Sequence, residues 1–370
     1  MTRTQPNAES ASVPVPHSLT RLVKARPDQS TLPQRFTYVD LLRGLAALAV
    51  LITHYRWFFA RSVGDWRTDV QLPLYDVLWP FYENGLLAVQ MFWILSGFVF
   101  TVAYGGFGRN VSARTFLIHR VARLYPLHFI TLLLVAILQT ISWKTSGEWQ
   151  IYGNNDVRHF IAHLGFASNW FTTEHSFNAP VWSVSIEVLI YAAFLVYLLR
   201  SGPNLWVAIA IIPLAFIAER LTQNFIPQCF ALFFAGVVIA RIAQRVQSWA
   251  IFVSGLGLLI VTIAGVALGE PMALVYAGTP ALLLLFVGLD LTFPPVPQGL
   301  HWIGAITYAV YLLHMPVLIS LKMSFGTSLP LESPGMLGAF LALVVLISIP
   351  VYRHLELPSQ RYIRRLASRD

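Results

Sequence analysis

What this chain of 370 residues lacks most is charge. Asp, Glu, Lys and Arg make up 11% of it, against 56% hydrophobic residues; a soluble domain carries about 25% charged residues. That is too little ionic surface to face water all round, which excludes an ordinary soluble globular fold. Acid is the scarcer sign, with 17 Asp and Glu facing 25 Lys and Arg for a formal net charge of +8. Cysteine is nearly absent: Cys229 alone excludes an intrachain disulfide and any cysteine-rich metal cluster. No Walker loop or dinucleotide fingerprint occurs. Residues 1–36, rich in Ser, Pro, Thr and Gln, hold no continuous apolar run that would read as a cleaved signal peptide. They read as a cytosolic tail.

What is present is apolar length. Mean hydropathy is +0.63, and 11 Trp, 14 Tyr and 25 Phe suit a protein anchored at two membrane–water interfaces. A spanning helix needs about 20 mostly apolar residues. Candidate spans fall at roughly 37–58, 84–106, 124–143, 182–199, 205–219, 225–243, 249–268, 272–292, 300–321 and 335–352. The fifth is short and carries Pro213, and the sixth begins near Pro227. With the N-terminus inside, 17 of the 25 Lys and Arg lie in cytosolic segments and 7 outside, with Arg43 within the first span. The excess predicts an all-α, polytopic bundle of ten spans, N-in and C-in. It also assigns the basic residues to topology rather than to nucleic-acid binding. Residues 37–353 are expected to form the membrane domain and 354–370 a cytosolic tail. No repeat of 20–50 residues is visible, which weighs against a transporter built from repeats.

Titratable groups within a span are costly and mark candidate sites. Arg43 and His54 lie 11 positions apart in the first span, just past three full turns, so they share a face about 16 Å apart along the axis. Asp40 can pair with Arg43 across one turn. A structural ion pair, with His54 satisfied by a neighbouring helix, reads equally from the spacing. Residues 106–126 carry Arg109, Arg114, His119, Arg120 and Arg123 without an acid. They read as a basic cytosolic loop or as a phosphate site. In Asn178-Ala179-Pro180-Val181-Trp182-Ser183-Val184-Ser185-Ile186-Glu187, the carboxylate falls two turns inside the fourth span. At that depth His54 is a candidate partner, which would make imidazole a general base. The alternative is a structural hydrogen bond between helices. Tyr308, Tyr311 and His314 line the ninth span as polar groups of the bundle or as substrate contacts. His159 and His163 have a metal-ligand spacing, but no third ligand is evident and no metal is expected. Residues 157–171 are expected to form a short interfacial helix.

Six stretches in order resemble the acyltransferase 3 family of membrane O-acyltransferases. They are YVDLLRGLAALAVLITHY (38–55), FWILSGFVF (92–100), RVARLYP (120–126), NAPVWSVSIE (178–187), ITYAVYLLHMP (306–316) and LELPSQRYIRR (355–365). The resemblance implies transfer of an acyl group, usually acetyl from cytosolic acetyl-CoA, to a hydroxyl of a carbohydrate or glycolipid acceptor at a bacterial inner membrane. It implies Arg43, His54 and Glu187 as catalytic residues, with Arg114, Arg120, Arg123 and Tyr125 toward acyl-CoA. Asn178, Trp182, Ser185, Tyr308 and His314 fall toward the acceptor. An acyl-histidine intermediate stays open beside direct transfer. The chain is expected to be the stand-alone type, without a further hydrolase-like domain. The rival from another class is a carrier or flippase with Arg43, His54 and Glu187 as a proton or substrate relay. A membrane-bound O-acyltransferase of the unrelated type is a second enzymatic rival, although its motif pattern is not evident.

Overall fold

The computed structural model describes residues 35–65, 70–170, 174–297, 300 and 302–367, so the tail expected over residues 1–36 lies almost wholly outside the described residues. Among the described residues there are helices and no strand. Ten helical segments are long and apolar enough to cross a membrane, in agreement with the ten spans expected. Their cores are α1 (Thr37–Tyr55), α3 (Gly85–Tyr104), α4 (Ala113–Ser146), α6 (Val181–Ser201), α7 (Leu205–Thr222), α8 (Phe225–Ala243), α9 (Ser248–Ala267), α10 (Thr279–Thr292), α11 (Trp302–Phe325) and α12 (Pro334–Val351). Two short helices, α2 (Tyr75–Glu83) and α5 (Val157–Leu164), lie between spans, and α13 (Leu357–Ala367) follows the last.

Small residues set the closest approaches. A Cβ at Gly97 of α3 would collide with the main chain of Phe233 in α8, and one at Gly236 of α8 with that of Ile94 in α3. The two helices therefore touch backbone to backbone, as spans without a water-driven hydrophobic effect tend to do. Gly304 plays the same part in α11, where a Cβ would meet the Asp40 side chain of α1. Polar side chains bind the outer helices. Gln90 donates to Gln228 at 2.8 Å, Gln228 donates to Glu219 at 2.9 Å, and the Tyr276 hydroxyl donates to the other Glu219 oxygen. That chain links α3, α8, α7 and the π-helical turn Leu274–Gly278 ahead of α10.

Four expectations need correction. The basic stretch expected as a loop is helical from Ala113 onward, because Ser112 caps the helix by accepting from Thr115 N at 3.2 Å and nothing breaks it before Pro126. The fifth span reaches Thr222, with Pro213 inside it. The residues expected as a C-terminal tail are a π-helical turn, Tyr352–Glu356, leading into α13 against α4. The interfacial helix expected over 157–171 is confined to 157–164, where Asp156 caps it through His159 N at 2.9 Å.

Candidate active site

One end of the bundle gathers the chain's basic groups around a cavity of about 390 Å³. Arg43 of α1, Arg120 and Arg123 of α4 and Arg364 of α13 line it, with Ser96 and Phe100 of α3 and Tyr191 of α6. Its floor carries Tyr308 and Tyr311 of α11 and Ser183 of α6. Each guanidinium is held in its own way. Arg43 pairs with Asp40 at 3.3 Å, the contact expected from one turn's spacing. Arg120 lies 4.4 Å from the centroid of the Phe100 ring, meets the Tyr104 hydroxyl at 3.4 Å and leaves its buried Nε without a partner. Arg123 pairs with Glu356 and lies 5.6 Å from the Tyr308 ring centroid. Tyr308 in turn donates its hydroxyl to Leu124 O at 2.7 Å.

Glu187 belongs to this cavity's surroundings and not to His54. Its carboxylate accepts from Ser96 and faces Tyr191, with Arg120 and Arg43 in electrostatic reach. The expected His54–Glu187 pair is not formed. Counting turns along α6 gave a depth, whereas the helix's rotation aims Glu187 at α3.

His54 instead meets α11. Its Nδ1 lies 2.8 Å from Val50 O, one turn back, and its ring meets that of His314 edge to face at 4.8 Å between centroids. A carbonyl oxygen only accepts, so Nδ1 carries the proton and Nε2 keeps a free lone pair. His314 is completely buried and neither of its nitrogens is hydrogen-bonded by distance and angle, with the Val310 and Tyr311 carbonyls of the preceding turn nearby. Buried polar groups nearly always have partners, so this imidazole stands out. One turn toward the basic cavity, Tyr311 donates to Pro180 O at 2.7 Å and lies 2.8 Å from the Ser183 hydroxyl. Tyr311 therefore stands between the cavity and the two histidines.

On the far side of His54 a second cavity, about 430 Å³, is lined by Trp57, Tyr152, Asn154 and His175 among others. His175 is within electrostatic reach of His54. Burial holds the His175 imidazole below its ordinary pKa and pushes the Tyr152 phenol up, so both are neutral near pH 7. Trp182, expected toward the acceptor, is half-buried against Trp93, Phe225 and His175. Asn178 and Ser185 differ from expectation. Both are fully buried; Asn178 donates to Leu312 O at 3.0 Å, and the Ser185 hydroxyl accepts from Asn169 N at 3.2 Å. They fasten Asn169 and Asn178, ahead of α6, to the bundle and line neither cavity.

Arg114 and Tyr125 are exposed on α4 outside the basic cavity, Tyr125 stacking on Phe129. The helical phase turns them away from the side shared by Arg120 and Arg123. His159 lies between Asp156 at 2.9 Å and Glu174 at 3.2 Å, and His163 Nε2 meets the Ser176 hydroxyl at 3.0 Å. Among the described residues no group of three His, Cys, Asp or Glu is placed to hold a metal. Sequence reasoning missed Ser96, Ser183, Tyr191, His175, Gln360 and Arg364. For the last two a signal existed: the i, i+4 spacing of polar residues in the C-terminal segment.

A family model described as an acyltransferase domain matches residues 36–353. The chain is 29% identical over 210 residues to acyltransferase MdmB of Streptomyces mycarofaciens, covering 52% of this chain and 50% of that protein. It is 28% identical over 205 residues to the putative peptidoglycan O-acetyltransferase YrhL of Bacillus subtilis (strain 168), 49% of this chain and 28% of that one. A 106-residue stretch is 35% identical to protein 2 in picA locus of Rhizobium radiobacter, 28% of this chain and 46% of that protein. The matches thus span half or less of the relatives' lengths. No solved structure matches. With an acyltransferase model running through all ten spanning helices of the described bundle, this chain belongs to the acyltransferase 3 family of multi-pass membrane acyltransferases.

Proposed function

We propose that this acyltransferase takes its acyl group, acetyl in the first instance, from acyl-CoA at the basic end. It delivers that group to a hydroxyl of a carbohydrate-containing acceptor, a cell-envelope polysaccharide or glycolipid, arriving from the other end. The basic end is cytosolic in this reading and the membrane is the bacterial inner membrane. The observation that carries the proposal is the order of features along α1 and α11. A guanidinium-lined cavity leads to Tyr311, and behind Tyr311 stands an imidazole whose Nε2 lone pair is free. Guanidinium forks suit phosphate oxygens, and the roughly 16 Å from Arg43 to His54 separates anion binding from chemistry. A swing of Tyr311 off Pro180 O would join the two.

His54 then acts as the general base. Its Nε2 takes the acceptor hydroxyl proton as that oxygen attacks the thioester carbonyl carbon. The C–O bond forms, the C–S bond breaks, and the imidazolium returns the proton to the departing thiolate, giving ester and free thiol. Glu187, beside Arg43 and Arg120, balances the arginine charge and positions those two side chains. His314 offers an N–H to the oxygen that becomes negative during attack. The second cavity, with Trp57, Tyr152, Asn154 and His175, has the aromatic faces and polar edges that suit a sugar. The name of the Bacillus relative, a putative peptidoglycan O-acetyltransferase, is in keeping with a glycan acceptor.

The test is turnover and donor binding in His54→Ala. Turnover falls by about 10²–10⁴ while acetyl-CoA binding is retained. Activity close to wild type in the folded variant removes His54 from this role. Mass spectrometry of glycans and glycolipids from cells with and without the protein identifies the acceptor through a difference of one acyl group.

A further inference from the structure

The wall of the basic cavity contributed by α13 lies beyond the residues matched by the family model, which end at residue 353. α12 passes into α13 through the π-helical turn Tyr352–Glu356. Glu356 is 1% exposed, yet its Oε2 has no hydrogen-bond partner. Its Oε1 is gripped by Arg123 and accepts from Gln360 Nε2 at 3.1 Å. Gln360 and Arg364 follow at one-turn intervals on the same stripe, and both line the cavity. Arg364 reaches only Gln360 Oε1, at 3.5 Å, so its guanidinium is held by a single long contact. Arg120 and Arg123 lie within electrostatic reach of it, and Arg120 has a buried, unpartnered Nε of its own. Glu187 and Glu356 offset part of this charge, and an anion between Arg120 and Arg364 would turn their mutual repulsion into attraction.

We propose that α13 is a working wall of the donor site. Arg364 and Arg120 close on a phosphate of the acyl donor from opposite sides, and Glu356 is a positioning residue that holds Arg123 against the cavity. The proposal rests on the acyl-CoA reading above. Arg364 is exposed at the cavity mouth, so the phosphate it takes is one that stays near solvent at the nucleotide end of CoA.

Binding of acetyl-CoA to the purified full-length protein in detergent tests this. Arg364→Ala is expected to weaken binding about tenfold, the size of one lost charged hydrogen bond. Arg361→Ala, one turn earlier on α13 and outside the cavity lining, leaves binding unchanged. Acetyl-dephospho-CoA, which lacks the 3′-phosphate, is expected to bind wild type and Arg364→Ala with nearly equal affinity. Glu356→Gln, which keeps an acceptor for Arg123, is expected to retain more affinity than Glu356→Ala. If Arg364→Ala binds acetyl-CoA like Arg361→Ala while the Arg120→Ala, Arg123→Ala double variant loses it, α13 is no part of the site and the donor reading stands. If wild type does not bind acetyl-CoA at all, both fall.

Discussion

His54 and His314 touch edge to face, yet their hydrogen-bonding states are opposite. His54 has one nitrogen committed to Val50 O, whereas His314 has neither nitrogen committed. Replacing an unsatisfied buried polar group by an apolar one of similar shape is neutral or stabilising. His314→Phe is therefore expected to melt at or above the wild-type temperature and to lose most of its turnover. A variant that is destabilised but fully active would show the imidazole to be structural. His163 offers a second prediction, outside the spanning helices. Burial, and then the neighbouring His128 and His159, push its pKa down to about 3, against about 6.5 for an exposed histidine. The folded state thus excludes a proton that the unfolded loop accepts. The stability this confers is fully present above about pH 6.5 and is lost as pH falls toward 3, at about 1.4 kcal/mol per pH unit. Hydrogen exchange in residues 157–170, corrected for intrinsic rate, should show more opening at pH 5 than at pH 7. His163→Gln should flatten that difference.

Helix contacts decide what those side chains can do. Ser96 and Phe100 reach the cavity from α3, and α3 is set against α8 by Gly97 and Gly236. Gly236→Leu would drive its side chain into the Ile94 carbonyl and part the helices. The expected result is poor accumulation in the membrane and, in what remains, loss of acetyl-CoA binding, read by fluorescence-detected gel filtration and a binding assay. Gly257→Leu, on α9 with open space at its Cβ, should behave as wild type. The ten spans were legible because a bilayer demands long apolar runs, and the Asp40–Arg43 pair because a single turn relates its members. Less legible was anything requiring the rotation of one helix against another. Glu187 was read at the right end of α6 and given the wrong partner, since no pattern within α6 says that Ser96 faces it. Asn178 and Ser185 were misread for a related reason: a polar residue beside a cavity and one pinning a loop look alike in sequence. The helicity of residues 113–126 and 357–367 escaped notice because hydropathy registers lipid contact, and these amphipathic segments face the basic cavity instead.

At the scale of the whole molecule, the proposed direction of transfer depends on which end of the bundle meets the cytosol, because thioester donors are cytosolic and envelope glycans are not. The described helices alternate in direction, so Arg43, Arg120, Arg123, Arg241 and Arg364 share an end, while Arg61, Lys144, Arg158 and Lys322 lie at the other. The excess of basic residues at the first end is the ground on which the proposal sets that end toward the cytosol. Cys229, the chain's one cysteine, is fully buried, which leaves a quiet background for thiol labelling. Val157 is 75% exposed at the weakly basic end and Leu366 is 48% exposed at the other. In intact cells a membrane-impermeant maleimide should label Val157→Cys and spare Leu366→Cys, and inverted vesicles should reverse the pattern. Labelling of Leu366→Cys from outside intact cells would put the arginine cavity on the face where acyl-CoA is absent. That outcome would break the proposed direction of transfer while leaving the family and the ten-span bundle intact.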